Sequence, residues 1–268
     1  MRFFATLESI INTSQPVEKI ARFHDFYQNY QQGRILFEEA QMFKDLPHPS
    51  YAAICDIVPA TTLPKRTSLS TAKGKAWLLH SIMHIEYSAI DLALEHACRF
   101  TGMPAEYYDD WLKVADDEIR HFLMLEEILQ KLGYRYGSFP VHAFLFDVSH
   151  KCRDLLTRMA VVPRYLEASG LDASPLVIDK LRRIDDEASR MMIAALEVIL
   201  EEEVDHVQKG DRWYRYACAQ EGVDPSDYFD IVESVLPSAR KPKAYVNVAS
   251  RKRAGFSCDE IAVISSQP

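Results

Sequence analysis

Two histidines follow a glutamate at three-residue spacing, in Glu118-Ile-Arg-His121 and in Glu203-Val-Asp-His206. On a helix, residues three apart share a face, so each pair would set a carboxylate beside an imidazole. These are donors for a first-row transition metal. Such pairs also occur on solvated helix surfaces, so their surroundings decide. The first pair lies in the stripe Trp111, Val114, Glu118, His121, Leu125, Ile128, Leu132, and the second in Met192, Leu196, Ile199, Glu203, His206, Gly210, Trp213, Ala217. Both faces are otherwise apolar. A third stripe, Leu79, Ile82, Glu86, Ile90, Ala93, carries a single carboxylate. Isolated carboxylates in an apolar core are strongly disfavoured, so three inward acidic positions call for compensating charge, and a metal is the economical source.

The elements that must position these residues follow from periodicity and punctuation. Ser70 and Thr71 can cap a first long helix that Thr101-Gly102-Met103-Pro104 closes. Pro104 opens a second, ended by Gly133, which a short connection makes the antiparallel neighbour of the first. The midpoint between Glu86 and the 118/121 pair falls at residues 102 to 103, on the connecting turn, so the three side chains are expected level across a hairpin. A third helix is expected over about 141–168, kinked by Pro163 and ended by Gly170. The turn Asp172-Ala-Ser-Pro175 then starts a short helix to about Ile184, and a fourth long helix runs from about Asp186 to Ala219. The candidate carboxylate of the third helix is Glu167, near its end, and Glu202, four residues before His206, is an alternative to Glu203. One Glu from each of two helices and one Glu-x-x-His from each of two others is the donor pattern of a dinuclear carboxylate site in a four-helix bundle. The expected metal donors are therefore Glu86, Glu118, His121, Glu167, Glu203 and His206. Four carboxylates balance two divalent cations, and this donor set suits iron or manganese (Fe/Fe or Fe/Mn).

Four segments taken together, Leu79-His-Ser-Ile-Met-His-Ile-Glu86-Tyr-Ser-Ala-Ile-Asp, Glu118-Ile-Arg-His121, Val161-Val-Pro-Arg-Tyr-Leu-Glu167-Ala-Ser-Gly-Leu-Asp and Ile199-Leu-Glu-Glu-Glu203-Val-Asp-His206-Val, resemble an uncharacterised bacterial family, a domain of unknown function within the ferritin-like (di-iron carboxylate) superfamily. The resemblance covers roughly residues 50 to 268. It implies an all-α, ferritin-like four-helix bundle with a di-iron-type centre at the six residues above, and it supplies no substrate. The expected function is a dinuclear metal oxidase or oxygenase that uses dioxygen on an unidentified organic substrate, with an unknown electron donor. The alternatives are metal handling or peroxide detoxification without an organic substrate, a tRNA-modifying hydroxylase by fold analogy, and a helical adaptor stapled by metal.

Composition agrees with a helical, globular chain. Apolar residues at 48% and charged residues at 26% exclude a disordered or collagen-like protein, and nine glycines in 268 residues speak against a turn-dense β fold. The net charge of -8 disfavours nucleic-acid coating by the whole surface. A basic segment, Arg240 to Arg253, leaves a nucleic-acid or acidic partner open, although a tail docked on an acidic bundle is the simpler expectation. The bundle is expected at 70–221, with an N-terminal extension over 1–69, helical at 16–31 and 34–44 and extended through Pro59 to Pro64, and a C-terminal extension over 222–268. Cys55, Cys98, Cys152, Cys218 and Cys258 are odd in number and unpaired by spacing, so reduced thiols are expected. No apolar run reaches membrane-spanning length, which gives the expectation of a cytoplasmic protein; a monomer or dimer is expected. His80 and His84 are expected to support or cap rather than to ligate, and Tyr87, Tyr165 and Trp213 to pack.

Overall fold

Phe3, Leu7, Ile10 and Ile11 fall on one face of the first helix, α1 (Phe3–Ile11), and are all buried. Pro16 then sits at the first position of α2 (Pro16–Gln31), where its missing N–H is harmless. These helices belong to a computed structural model that describes residues 1–39, 43–63 and 68–266. Among the described residues every regular element is helical, and three isolated backbone bridges are the only β pairing. The chain divides into two compact units, Met1–Phe146 and Asp147–Pro268.

The helix expected over 34–44 does not form at 34–39 or 43–44, and residues 40–42 lie outside the described residues, as does Pro64. The backbone there has other partners. Phe3 N–H donates to the Leu36 carbonyl and Leu36 N–H to the Met1 carbonyl, both at 2.9 Å, while the Phe37 ring stacks on Phe3 at 4.2 Å. Pairing with the N-terminus replaces the helical ladder. Two single 3-10 turns, Ser50–Ala53 and Ala60–Thr62, interrupt the proline-rich stretch.

The long hairpin of the first unit forms as expected. Thr71 Oγ1 accepts from Gly74 N–H at 3.0 Å and caps α3 (Ala72–Arg99). Gly102, at φ +72°, turns the chain into α4 (Ala105–Lys131), and α3 and α4 pack against each other. Helix α1 packs on α3 and α2 on α4.

A short helix, α5 (Phe144–Ser149), spans the boundary of the units, and α6 (Leu155–Val161) opens the second with Asp154 as its cap. Expectation and structure part beyond it. The chain widens into one π-helical turn, Val162–Glu167, and continues as α7 (Ala168–Leu181) through Gly170, Asp172 and Pro175 without the expected stop and turn. Pro163 has no N–H to give to the α ladder, and the wider turn absorbs the defect. Pro175 likewise deprives the Leu171 carbonyl of its donor, and Asn247 Nδ2 replaces it at 3.2 Å. Tertiary hydrogen bonding thus carries a helix through residues that would otherwise end it. The longest helix, α8 (Glu187–Glu221), is capped by Asp186 and stopped by Gly222 at φ +69°. After it come α9 (Tyr228–Val235), α10 (Val248–Arg253) and α11 (Cys258–Ile264).

Candidate metal centre

The apolar stripe of α4 buries Trp111, Val114, Phe122, Leu125 and Ile128, and the same packing carries Glu118 and His121 inside with them. Glu86 arrives from the facing side of α3. Glu118 is 1% exposed, His121 0% and Glu86 5%, which for charged groups demands a partner. They supply one another. His121 Nδ1 lies 3.2 Å from Glu86 Oε2 and 3.4 Å from Glu118 Oε2, and one donor atom from each residue falls within 4.8 Å of the others. Burial alone would push the imidazole down, but the two carboxylates outweigh it and raise its pKa to about 11. The two carboxyl groups thus favour a proton on the imidazole between them. Two hard oxygens and one imidazole at this separation fit a divalent first-row cation as a replacement for the proton.

The other three expected donors lie in the second unit. Glu203 and His206 sit one turn apart on α8, with Oε1 3.6 Å from Nδ1; the imidazole is fully buried and the Glu203 side chain 12% exposed. Glu202, the alternative, is also partly buried. Glu167 is not at a helix end. It closes the π turn inside the continuous helical stretch from α6 to α7 and is half-buried. Single π turns concentrate at functional sites because they shift the phase of a helix and so re-aim a side chain.

His80 and His84 hold a loop. Gly137 N–H donates to His80 Nε2 at 2.9 Å, so that nitrogen is an acceptor and the ring is neutral. His84 Nε2 lies 2.9 Å from the His142 carbonyl, which can only accept; its Nδ1 therefore accepts from the Tyr136 hydroxyl, also at 2.9 Å. Gly137 fits here for two reasons: its φ is +85°, and a Cβ would come 2.7 Å from the Ile54 carbonyl oxygen. Burial, and then His84, lowers the His80 pKa from 6.5 to about 4. Between these values the unfolded chain binds a proton that the folded one does not, so this contribution is complete above pH 6.5 and is lost as pH falls toward 4. Its size is about 3 kcal/mol. Urea unfolding of His80→Gln is expected to show an acid slope shallower than wild type by about one proton over that window; equal slopes would refute the assignment.

Tyr87 Oη donates to the Ser14 carbonyl at 3.3 Å and Tyr165 Oη to the Ala239 carbonyl at 3.1 Å. Cys55, Cys98, Cys152 and Cys218 are buried free thiols and Cys258 is exposed. Among the described residues no helix is long and apolar enough to cross a membrane.

Fold and donors together define an all-helical protein with a carboxylate–imidazole group buried in its long hairpin. The chain belongs to the family described as protein of unknown function DUF455, whose model matches residues 12–262. A Haemophilus influenzae protein described as an uncharacterized protein is 34% identical over 273 residues, covering 97% of this chain and 92% of its own length. No solved structure matches.

Proposed function

We propose that this protein is a dinuclear, di-iron-type oxidase or oxygenase of the ferritin-like class, with Glu86, Glu118, His121, Glu167, Glu203 and His206 as metal donors and an organic substrate. The observation that carries the reading is the burial of Glu86, Glu118 and His121 against one another between α3 and α4. A chain that needed only stability would place hydrophobic side chains there, because a buried ionic triad is commonly no better than an apolar replacement. The donor inventory supports two metals: four carboxylates and two imidazoles, the second Glu-x-x-His pair lying on α8.

With iron or manganese bound, the centre supplies redox chemistry with dioxygen. The residues supply the rest. The carboxylates balance the cations' charge, His121 and His206 complete the donor sets from fully buried positions, and Trp111, Phe122 and Leu125 keep water from the hairpin interior. An enzyme is favoured over an iron store by the chain outside the long helices, where α1, α2, α9, α10 and α11 add helical structure that a closed shell of bare bundles does not need.

Elemental analysis of untagged protein is the direct test. About two metal ions per chain are expected in wild type, and one or none in His121→Ala and His206→Ala. Full occupancy in both variants would count against the donor assignment. A particle of many subunits that accumulates far more than two irons per chain would replace the oxygenase reading with storage.

A further inference from the structure

Within the second unit, the basic C-terminal segment pairs with acids of that unit. Of its six basic residues, four are spent on this unit's own acids: Arg240 on Asp230 and Glu233, Lys243 and Arg251 on Asp172, and Arg253 on Glu201. The most buried of these contacts, Arg251 on Asp172, brings the segment to an acid close in sequence to Glu167.

Three residues before it, Arg164 is fully buried. Its Nε donates to Asp211 Oδ1 of α8 at 2.7 Å and its Nη2 to Glu260 Oε1 of α11 at 2.8 Å. One residue after Glu167, the Ala168 carbonyl accepts from Arg251 Nη2 at 3.0 Å. Four residues further on, Asp172 accepts from Arg251 at 3.0 and 2.7 Å, from Lys243 Nζ at 2.9 Å and from the Asn247 N–H at 3.0 Å. The Phe256 ring lies under both guanidinium groups, 4.5 Å from Arg164 and 4.9 Å from Arg251. Two glycines permit the approach. A Cβ on Gly210 would stand 2.8 Å from Pro163 Cβ, and one on Gly255 would stand 2.7 Å from Asp211 Oδ2.

Buried ion pairs that merely anchor a tail could grip any exposed turn. These grip a π turn, a poorer hydrogen-bonding arrangement than the α-helix on either side, and they bracket one carboxylate from both ends. The bidentate geometry fixes direction as well as distance. We infer that the C-terminal segment is a positioning clamp for Glu167: Glu260, acting through Arg164, and Arg251, acting through the Ala168 carbonyl and Asp172, set the orientation of that carboxylate for metal binding. The inference rests on the dinuclear reading above. It also accounts for the basic segment without a nucleic-acid partner.

Anaerobic titration of the full-length, metal-free protein with ferrous iron tests it in a double-mutant cycle. Glu167→Gln, which alters a ligand, and Glu260→Gln, which removes an outer support, are each expected to weaken the weaker-bound iron by about tenfold or more, about tenfold being the smaller effect usual for losing an outer partner of a metal site. The double variant is expected to bind within about twofold of Glu167→Gln alone, because the clamp acts only through that carboxylate. Melting of metal-free Glu260→Gln close to wild type would show that the fold is intact. Multiplicative losses in the double variant would overturn the clamp, since Glu260 would then act elsewhere. Unchanged iron binding in Glu260→Gln beside weakened binding in Glu167→Gln would overturn the clamp and keep the ligand. Unchanged binding in Glu167→Gln would overturn the ligand reading itself, and the clamp with it. Should Glu260→Gln fail to fold, Arg251→Lys, which keeps the charge and loses the fork, takes its place in the cycle, with the same supporting and overturning results.

Discussion

Glu118→Ala is expected to leave metal-free protein nearly as stable as wild type and to abolish the stabilisation that metal confers. Without metal, Glu86 and Glu118 crowd one imidazole at 3.2 and 3.4 Å, so removing Glu118 loses a contact to His121 and relieves the crowding of two buried carboxyl groups. The two consequences oppose each other, and the net change should stay within about 1 kcal/mol. With metal present the balance differs, because a cation that binds only the folded chain stabilises it by about 2.7 kcal/mol at a hundredfold excess over Kd. For a chain of this length that is a rise of roughly 5 to 10 °C in wild type, absent from the variant. Calorimetry with chelator and with ferrous iron measures both arms. A large loss in both would make Glu118 an ordinary structural residue.

The half of the site on the long hairpin is legible in the sequence because two local signals agree. The stripes of α3 and α4 place Glu86, Glu118 and His121 inward, and the midpoint at residues 102 to 103 places them level, which is where they meet. Both signals depend only on helical periodicity and a short turn. The environment of Glu167 is not legible in this way. Gly170 and the Asp172-Ala-Ser-Pro175 stretch carry ordinary stop signals, and α7 continues through them because Asn247, Arg251 and Lys243, more than seventy residues away in sequence, supply hydrogen bonds to Leu171 and Asp172. Arg164 and Arg251 escape a sequence reading of the site for the same reason. Nothing local separates a buried arginine from a surface one. The basic run from 240 to 253 does signal acidic partners, and four of its six basic residues find them in their own unit. Likewise, the backbone near Leu36 is claimed by residues 1 to 3, a pairing that no window around position 36 contains.

The least legible feature of the first unit carries the largest stability prediction. Lys19 of α2 is fully buried, and its ammonium donates to Asp91 of α3, to Ser50 Oγ at 2.8 Å and to the Ile11 carbonyl at 3.3 Å, while Ser50 Oγ donates to the other Asp91 oxygen. Seventy-two residues separate the charges in sequence. Asp91→Ala removes the counter-charge and leaves a buried ammonium with only the neutral acceptors Ser50 Oγ and the Ile11 carbonyl named above, at an expected cost of about 3 to 5 kcal/mol at pH 7. A cavity of about 20 Å3 beside the pair, lined by Ser50, Tyr51, Asp91 and Glu95, has room for about one water, which favours the lower end of that range. The loss should depend on pH in a definite direction. Burial already lowers the Lys19 pKa from 10.5, and Asp91 is the group that raises it again. Without Asp91 the folded pKa falls further, so the unfolded chain holds a proton that the folded one lacks over a wider range, and the variant loses stability as pH falls below 10.5. The deficit relative to wild type is therefore expected to be smaller at pH 9.5 than at pH 7. Lys19→Met together with Asp91→Ala should recover most of the loss, because no unpaired charge remains. Urea unfolding at the two pH values compares wild type with the single and double variants; a deficit for Asp91→Ala of less than about 1 kcal/mol at pH 7, or one that grows with pH, would show that the pair does not hold α2 against α3.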